Sequence, residues 1–170
     1  MRWLGRVSSI VAAAAALTLV PATAIAATAS AYSDPISGFE YAAAVTQGSF
    51  AGAALGDVPG AWSATVDHTP LGTSATITGG GFSLVSYRDG ALTTITGDFT
   101  AGTVQQLSGF SGCVNQRYAV NGLLSNVGFG TAGSGTGTFA ATLTHYRTKI
   151  FGSCVTYSAS ISGSLSLAPS

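Results

Sequence analysis

Apolar side chains recur at every second position through much of this chain. In 137-GTFAATLTHYR-147, Phe139, Ala141, Leu143 and His145 share one side of an extended segment, with Ala140, Thr142, Thr144 and Tyr146 on the other. In 154-CVTYSASISGSLSL-167, Val155, Tyr157, Ala159, Ile161, Leu165 and Leu167 alternate with Thr156, Ser158, Ser160, Ser162, Ser164 and Ser166. Val114, Tyr118, Val120 and Leu124 likewise share one parity. Successive strand side chains point to opposite faces, so this period of two predicts half-buried strands. Weaker alternation over 36–45, 61–68, 73–78, 81–87, 91–99 and 102–107 predicts more of them, and Asp89-Gly90 is a hairpin-turn pair. Only Tyr41 to Val45 leaves room for a short helical turn. The expected fold is all-β: an antiparallel meander of about eight to nine strands, closed into a small barrel or folded as a two-sheet sandwich.

The chain also repeats itself. The segment 60-GAWSATVDHT-69 aligns with 137-GTFAATLTHY-146, which places Trp62 over Phe139, Val66 over Leu143 and His68 over His145. Further on, 74-SATITGGGFSL-84 resembles 158-SASISGSLSL-167 if one glycine is skipped. Each copy reads as a strand, a connector and a second strand, and the later connector is longer. Two matched hairpins in one domain predict pseudo-symmetry.

Composition fixes the compartment expected. Arg2 and Arg6 precede an uncharged apolar run, Ile10 to Val20, which ends at Pro21 and is followed by Ala24-Ile25-Ala26 and Ala29-Ser30-Ala31. That order describes a secretory signal peptide over residues 1–31, cut near 26 or 31, ahead of a single domain over 32–170. The run is shorter than the ~20 residues that span a bilayer, so no membrane span is expected. Past residue 31, Arg88, Arg117, Arg147 and Lys149 stand against Asp34, Glu40, Asp57, Asp67, Asp89 and Asp98, a difference of 4 − 6 = −2. No basic field draws a nucleic acid, so none is expected as a partner. Cys113 and Cys154 are the only cysteines, and in an oxidising compartment two such residues are expected to pair.

Candidate chemistry is sparse. His68 and His145 end matching apolar stripes, so both could face one interior or one rim, where Asp67 or Asp98 might have joined them as acid, base or ligand. The structural alternative is an imidazole capping the end of a core stripe, and no His-x-His or similar spacing argues for a metal. Tyr146, Arg147 and Lys149 follow His145 closely, but alternation divides them between the two sides of a strand. Glu40, Asp67 and Asp98 are isolated acids, and no spacing pairs them as glycosidase carboxylates. A literal G-x-G-x-x-G at Gly128, Gly130 and Gly133 leads into a strand rather than a helix, which makes it a glycine-rich loop. No catalytic residues, cofactor or metal are therefore assigned.

The alanine- and threonine-rich leader, together with GTFAATLTHYR and GSCVTYSASISGSL, resembles small secreted β-rich proteins of actinobacteria. That resemblance implies secretion and a β fold, and it carries no functional residues with it. The function expected is that of a secreted, disulfide-stabilised β domain, binding or structural. Its partner would be an extracellular ligand, a glycan or a cell-envelope component, contacted through His68, His145, Tyr146, Arg147 or Lys149. The alternatives are a barrel holding an apolar small molecule, and a small hydrolase or metal-dependent enzyme built on His68 and His145.

Overall fold

A computed structural model describes residues 31–88, 90–129 and 134–170. The leader, its cleavage sites, Asp89, Gly130 and Gly133 lie outside the described residues. Eight strands form a closed barrel in which every strand pairs antiparallel with its chain neighbour, and β8 returns to β1. They are β1 (Tyr32–Ala44), β2 (Gln47–Ala54), β3 (Gly60–His68), β4 (Ser74–Arg88), β5 (Ala91–Ser108), β6 (Gln116–Gly128), β7 (Ser134–Ile150) and β8 (Ser153–Pro169). The sheet is one ring, not two stacked layers, so the sandwich is not formed. Residues Tyr41 to Ala44 continue β1, so the helical turn is not formed either.

Alternation dictates what the ring encloses. Trp62, Val66, Ile77, Leu84, Phe99, Val120, Phe139, Leu143, Ile161 and Leu165 are all buried in a single core. An eight-stranded barrel is only wide enough for its own side chains, and here they fill it. The outward rows are largely Ser, Thr and Ala, as at Ser158 to Ser166 on β8. This is the reverse of an outer-membrane barrel, which turns an apolar band outward around a polar interior. Among the described residues, no helix is long and apolar enough to cross a membrane.

The two copies of the repeat occupy β3–β4 and β7–β8, with β3 and β7 four places apart around the ring. Their aligned aromatics meet in the middle: Trp62 and Phe139 pack edge to face at 6.1 Å, and Phe99 adds a second such contact to Phe139 at 5.9 Å. The indole N–H of Trp62 is shared between the carbonyls of Ser37 and Ala53, each at 3.2 Å, which removes the cost of burying that donor.

Several strands are longer than alternation predicts. Residues 73–78 and 81–87 are one strand, β4, and 91–99 and 102–107 are one strand, β5. The glycines between them permit irregular strand backbone instead of ending it. Gly102, at φ +151°, sits where a Cβ would strike the Asn121 carbonyl. The strand β2 was not expected at all, because QGSFAGAA offers one large apolar residue, Phe50.

One end of the barrel is sealed by hydrogen bonds. Here the β2–β3 connection folds back on β1, with Val58 N donating to Asp34 Oδ1 at 2.8 Å and Ser33 N to Asp57 Oδ2 at 2.8 Å. Asp34 is wholly buried, and its Oδ2 has no hydrogen-bond partner among the described residues. The opposite end carries the turns β1–β2, β3–β4 and β7–β8 and the β5–β6 loop, and every site residue named from the sequence lies in that half.

Candidate functional site

Two neighbouring features make up this second end: a polar lid over the core, and a ribbon that projects beyond it.

The lid centres on His145. It continues the inward stripe of Phe139 and Leu143, so its ring enters the mouth of the barrel at 13 % exposure. A β-bulge between Glu40 and Ala42 lets Glu40 point into the same mouth, 8 % exposed. His145 Nε2 donates to Glu40 Oε2 at 2.9 Å, and its ring packs on that of Tyr118 with centroids 5.4 Å apart. Burial raises the pKa of Tyr118 above its ordinary 10.0; the Arg147 charge opposes this, and the Glu40 charge adds to it. The matching His68 lines the same small cavity of about 60 Å³, with Phe50, Val66, Leu71, Glu40 and His145.

The histidines thus share a cavity, but their hydrogen bonds are separate. His68 Nδ1 donates to the Thr69 carbonyl at 2.7 Å, and Asp67 accepts from Gln47 Nε2 at 2.7 Å. Asp98 accepts from Asn126 Nδ2 at 2.9 Å, in the half of β5 nearer the other end. Neither aspartate reaches an imidazole. The acid that does is Glu40, which comes from a distant part of the chain and which no local spacing could single out. Among the described residues, no hydroxyl or thiol is hydrogen-bonded to either imidazole, and no group of three or more His, Cys, Asp and Glu could hold a metal.

The ribbon arises where the strands outrun the ring. Pairing of β6 with β7 stops at Gln116–His145, and pairing of β1 with β8 stops at Phe39–Ser160. Beyond those points β7 and β8 pair only with each other, from Tyr146–Ser158 to Ile150–Ser153. Five residues of β7 at about 3.3 Å each carry the ribbon roughly 15 Å past the last barrel pair. The added length is the longer connector of the second repeat. An isolated two-stranded hairpin is only marginally stable, and two contacts to the β5–β6 loop brace this one. Arg147 N donates to Asn115 Oδ1 at 3.1 Å, and Cys113 bonds to Cys154 across a Cα separation of 5.5 Å.

A bulge between Tyr146 and Arg147 reverses the expected facing of part of β8. Tyr157, expected on the buried side, is 65 % exposed and packs beside Tyr146 at 6.4 Å. Val114, expected in a core stripe, precedes β6 in the loop and is exposed. Tyr146 donates to or accepts from Ser160 on the outer face at 3.2 Å, and Lys149 is exposed on the ribbon. At the tip, Phe151 is fully exposed and adopts φ 49°, followed by Gly152 at φ +82°. Glycine takes such a conformation freely, whereas a bulky side chain does so at a cost of roughly 1–2 kcal/mol. Phe110, in the loop stapled to the ribbon, is 65 % exposed, and Ile150 is exposed next to Phe151.

No family model, curated protein or solved structure matches this chain.

Proposed function

We propose that this is an exported binding protein that uses its filled barrel as a rigid mount and recognises its target through the stapled end. One observation carries the reading. The fold spends no interior on function, yet it places Phe110, Ile150 and Phe151 in solvent at one end and accepts backbone strain at Phe151 to do so. Strain that packing does not require points to a role outside the fold.

The rival readings have less behind them. Ligand pockets are typically ~300–1,000 Å³, whereas the mouth encloses about 60 Å³, room for a water or two rather than an apolar ligand. A Glu–His pair orients an imidazole, but an acyl-transfer or hydrolytic mechanism also needs a nucleophile or activated water beside it. The Glu40–His145 pair is better explained as a cap that satisfies polar groups over the core. Export accords with the disulfide and with the resemblance to small secreted actinobacterial proteins.

The test is retention of the purified protein on cell-wall, glycan and lipid fractions. The doubly substituted Phe110→Ser/Phe151→Ser protein should lose retention, while Tyr87→Ser/Leu92→Ser, exposed sites at the other end, should keep it. Equal behaviour of the two variants would refute a recognition end.

A further inference from the structure

We infer that the partner of the stapled end is the surface of an anionic lipid bilayer, an inference that rests on the recognition reading above. The order of side chains along the ribbon supports it. From the tip backwards come Phe151 and Ile150, both exposed and apolar, then the exposed Lys149, then the partly exposed Arg147. At a rise of about 3.3 Å per residue, Lys149 lies roughly 7 Å and Arg147 roughly 13 Å behind the apex. An element lying at a bilayer surface buries its apolar part about 5–10 Å, to the acyl boundary, with cations at the phosphate level above. The ribbon presents apolar and cationic groups in that sequence and on that scale.

A second apolar tip stands beside the first. The Cys113–Cys154 bond ties the loop bearing Phe110 and Val114 to the ribbon, so the two can enter one surface together. Val45, in the β1–β2 turn of the same end, is also exposed.

Charge separates this end from the rest of the molecule. Arg117, Arg147 and Lys149 all lie in its half of the barrel, and Asp34, Asp57 and Asp98 lie in the other. Of the acids nearer the tips, Glu40 is held by His145 inside the mouth, and Asp67 is on β3, across the ring from β7. The chain can therefore be acidic in sum past residue 31 and still approach an anionic surface with a basic end. A symmetric pairing of two copies through this end would set those cations against each other. An uncharged glycan would leave them without a role.

Co-sedimentation of the purified, oxidised protein with two kinds of vesicle tests the inference: phosphatidylcholine alone, and phosphatidylcholine with one third phosphatidylglycerol. Binding is expected to the second kind, to weaken as salt is raised, and to fall about fivefold for Lys149→Gln. Phe151→Ser should lower it by roughly tenfold. Phe151→Trp should preserve it, with tryptophan emission shifting to the blue on vesicles. Phe151 packs against nothing, so these variants should melt like the parent protein. No sedimentation, equal binding to both vesicles, or indifference to Phe151→Ser would overturn the lipid assignment. If the lipid assignment fails while Phe110→Ser/Phe151→Ser still abolishes retention on wall or glycan fractions, the recognition end stands with a different partner. If that variant is retained on every fraction, the recognition reading itself is lost.

Discussion

The hairpins β3–β4 and β7–β8 descend from matching sequence and have diverged in use. The first stays within the ring: His68 ends β3, five residues cross to Ser74, and the connector lies against the mouth. The second keeps the same inward stripe as far as His145, then continues outward as a ribbon with a staple and an aromatic tip. The core halves of the two copies are interchangeable in kind, since Trp62 and Phe139 do the same packing and touch each other. The connectors are not. Added length costs little where backbone pairs with itself and a crosslink restrains it, so a copy can gain a new surface without disturbing the core.

That contrast gives graded expectations. Trp62→Ala and Phe139→Ala should each cost about 3–5 kcal/mol in denaturant unfolding, and the double variant less than their sum, because the rings share a contact. Clean additivity would show that the repeats do not meet in one core. Loss of the disulfide by Cys113→Ser/Cys154→Ser should cost about 4 kcal/mol in the chain-entropy model. Hydrogen exchange should quicken first over residues 146–158, with β3–β4 protection changing only through global unfolding. In the intact protein, reduction should add the mass of two hydrogens.

The histidines come next. Glu40→Ala strips His145 of its acceptor in a nearly dry site and should cost about 1–3 kcal/mol. His68→Ala, which breaks only a bond to the adjacent Thr69 carbonyl, should cost less. The reverse ranking would mean that the first copy, not the second, holds the mouth together. At the tip, Phe151→Asn should raise stability by about 1 kcal/mol, since asparagine tolerates the left-handed backbone.

The smallest effect concerns Tyr118. Burial lifts its pKa, so the fold favours the neutral phenol. Its contribution is complete below pH 10, the unfolded value, and fades as pH rises through the higher folded value. Phenolate absorbance should contain one late-ionising component, absent in Tyr118→Phe.

What could be read from sequence follows from what alternation encodes. Where strands are regular, as at Phe139 to His145 or Ala159 to Leu167, parity gives the core and hence the all-β class. It does not encode closure, because inward residues alternate the same way in a barrel and a sandwich. It fails at bulges, where one extra residue reverses every later side chain, and this is why Tyr157 and Glu40 face other than expected. The Gly- and Ala-rich β2 carries too little contrast to show a period. The Glu40–His145 bond joins residues 105 positions apart, and only the closed ring brings them together.

Closure has a further consequence. A ring of strands in which the last meets the first offers no unpaired backbone edge, so this protein cannot recruit a passing chain by strand addition or grow into fibres without first opening. A molecule with few surface charges to keep its copies apart thereby gains, from topology alone, a safeguard that other proteins obtain from edge lysines and prolines.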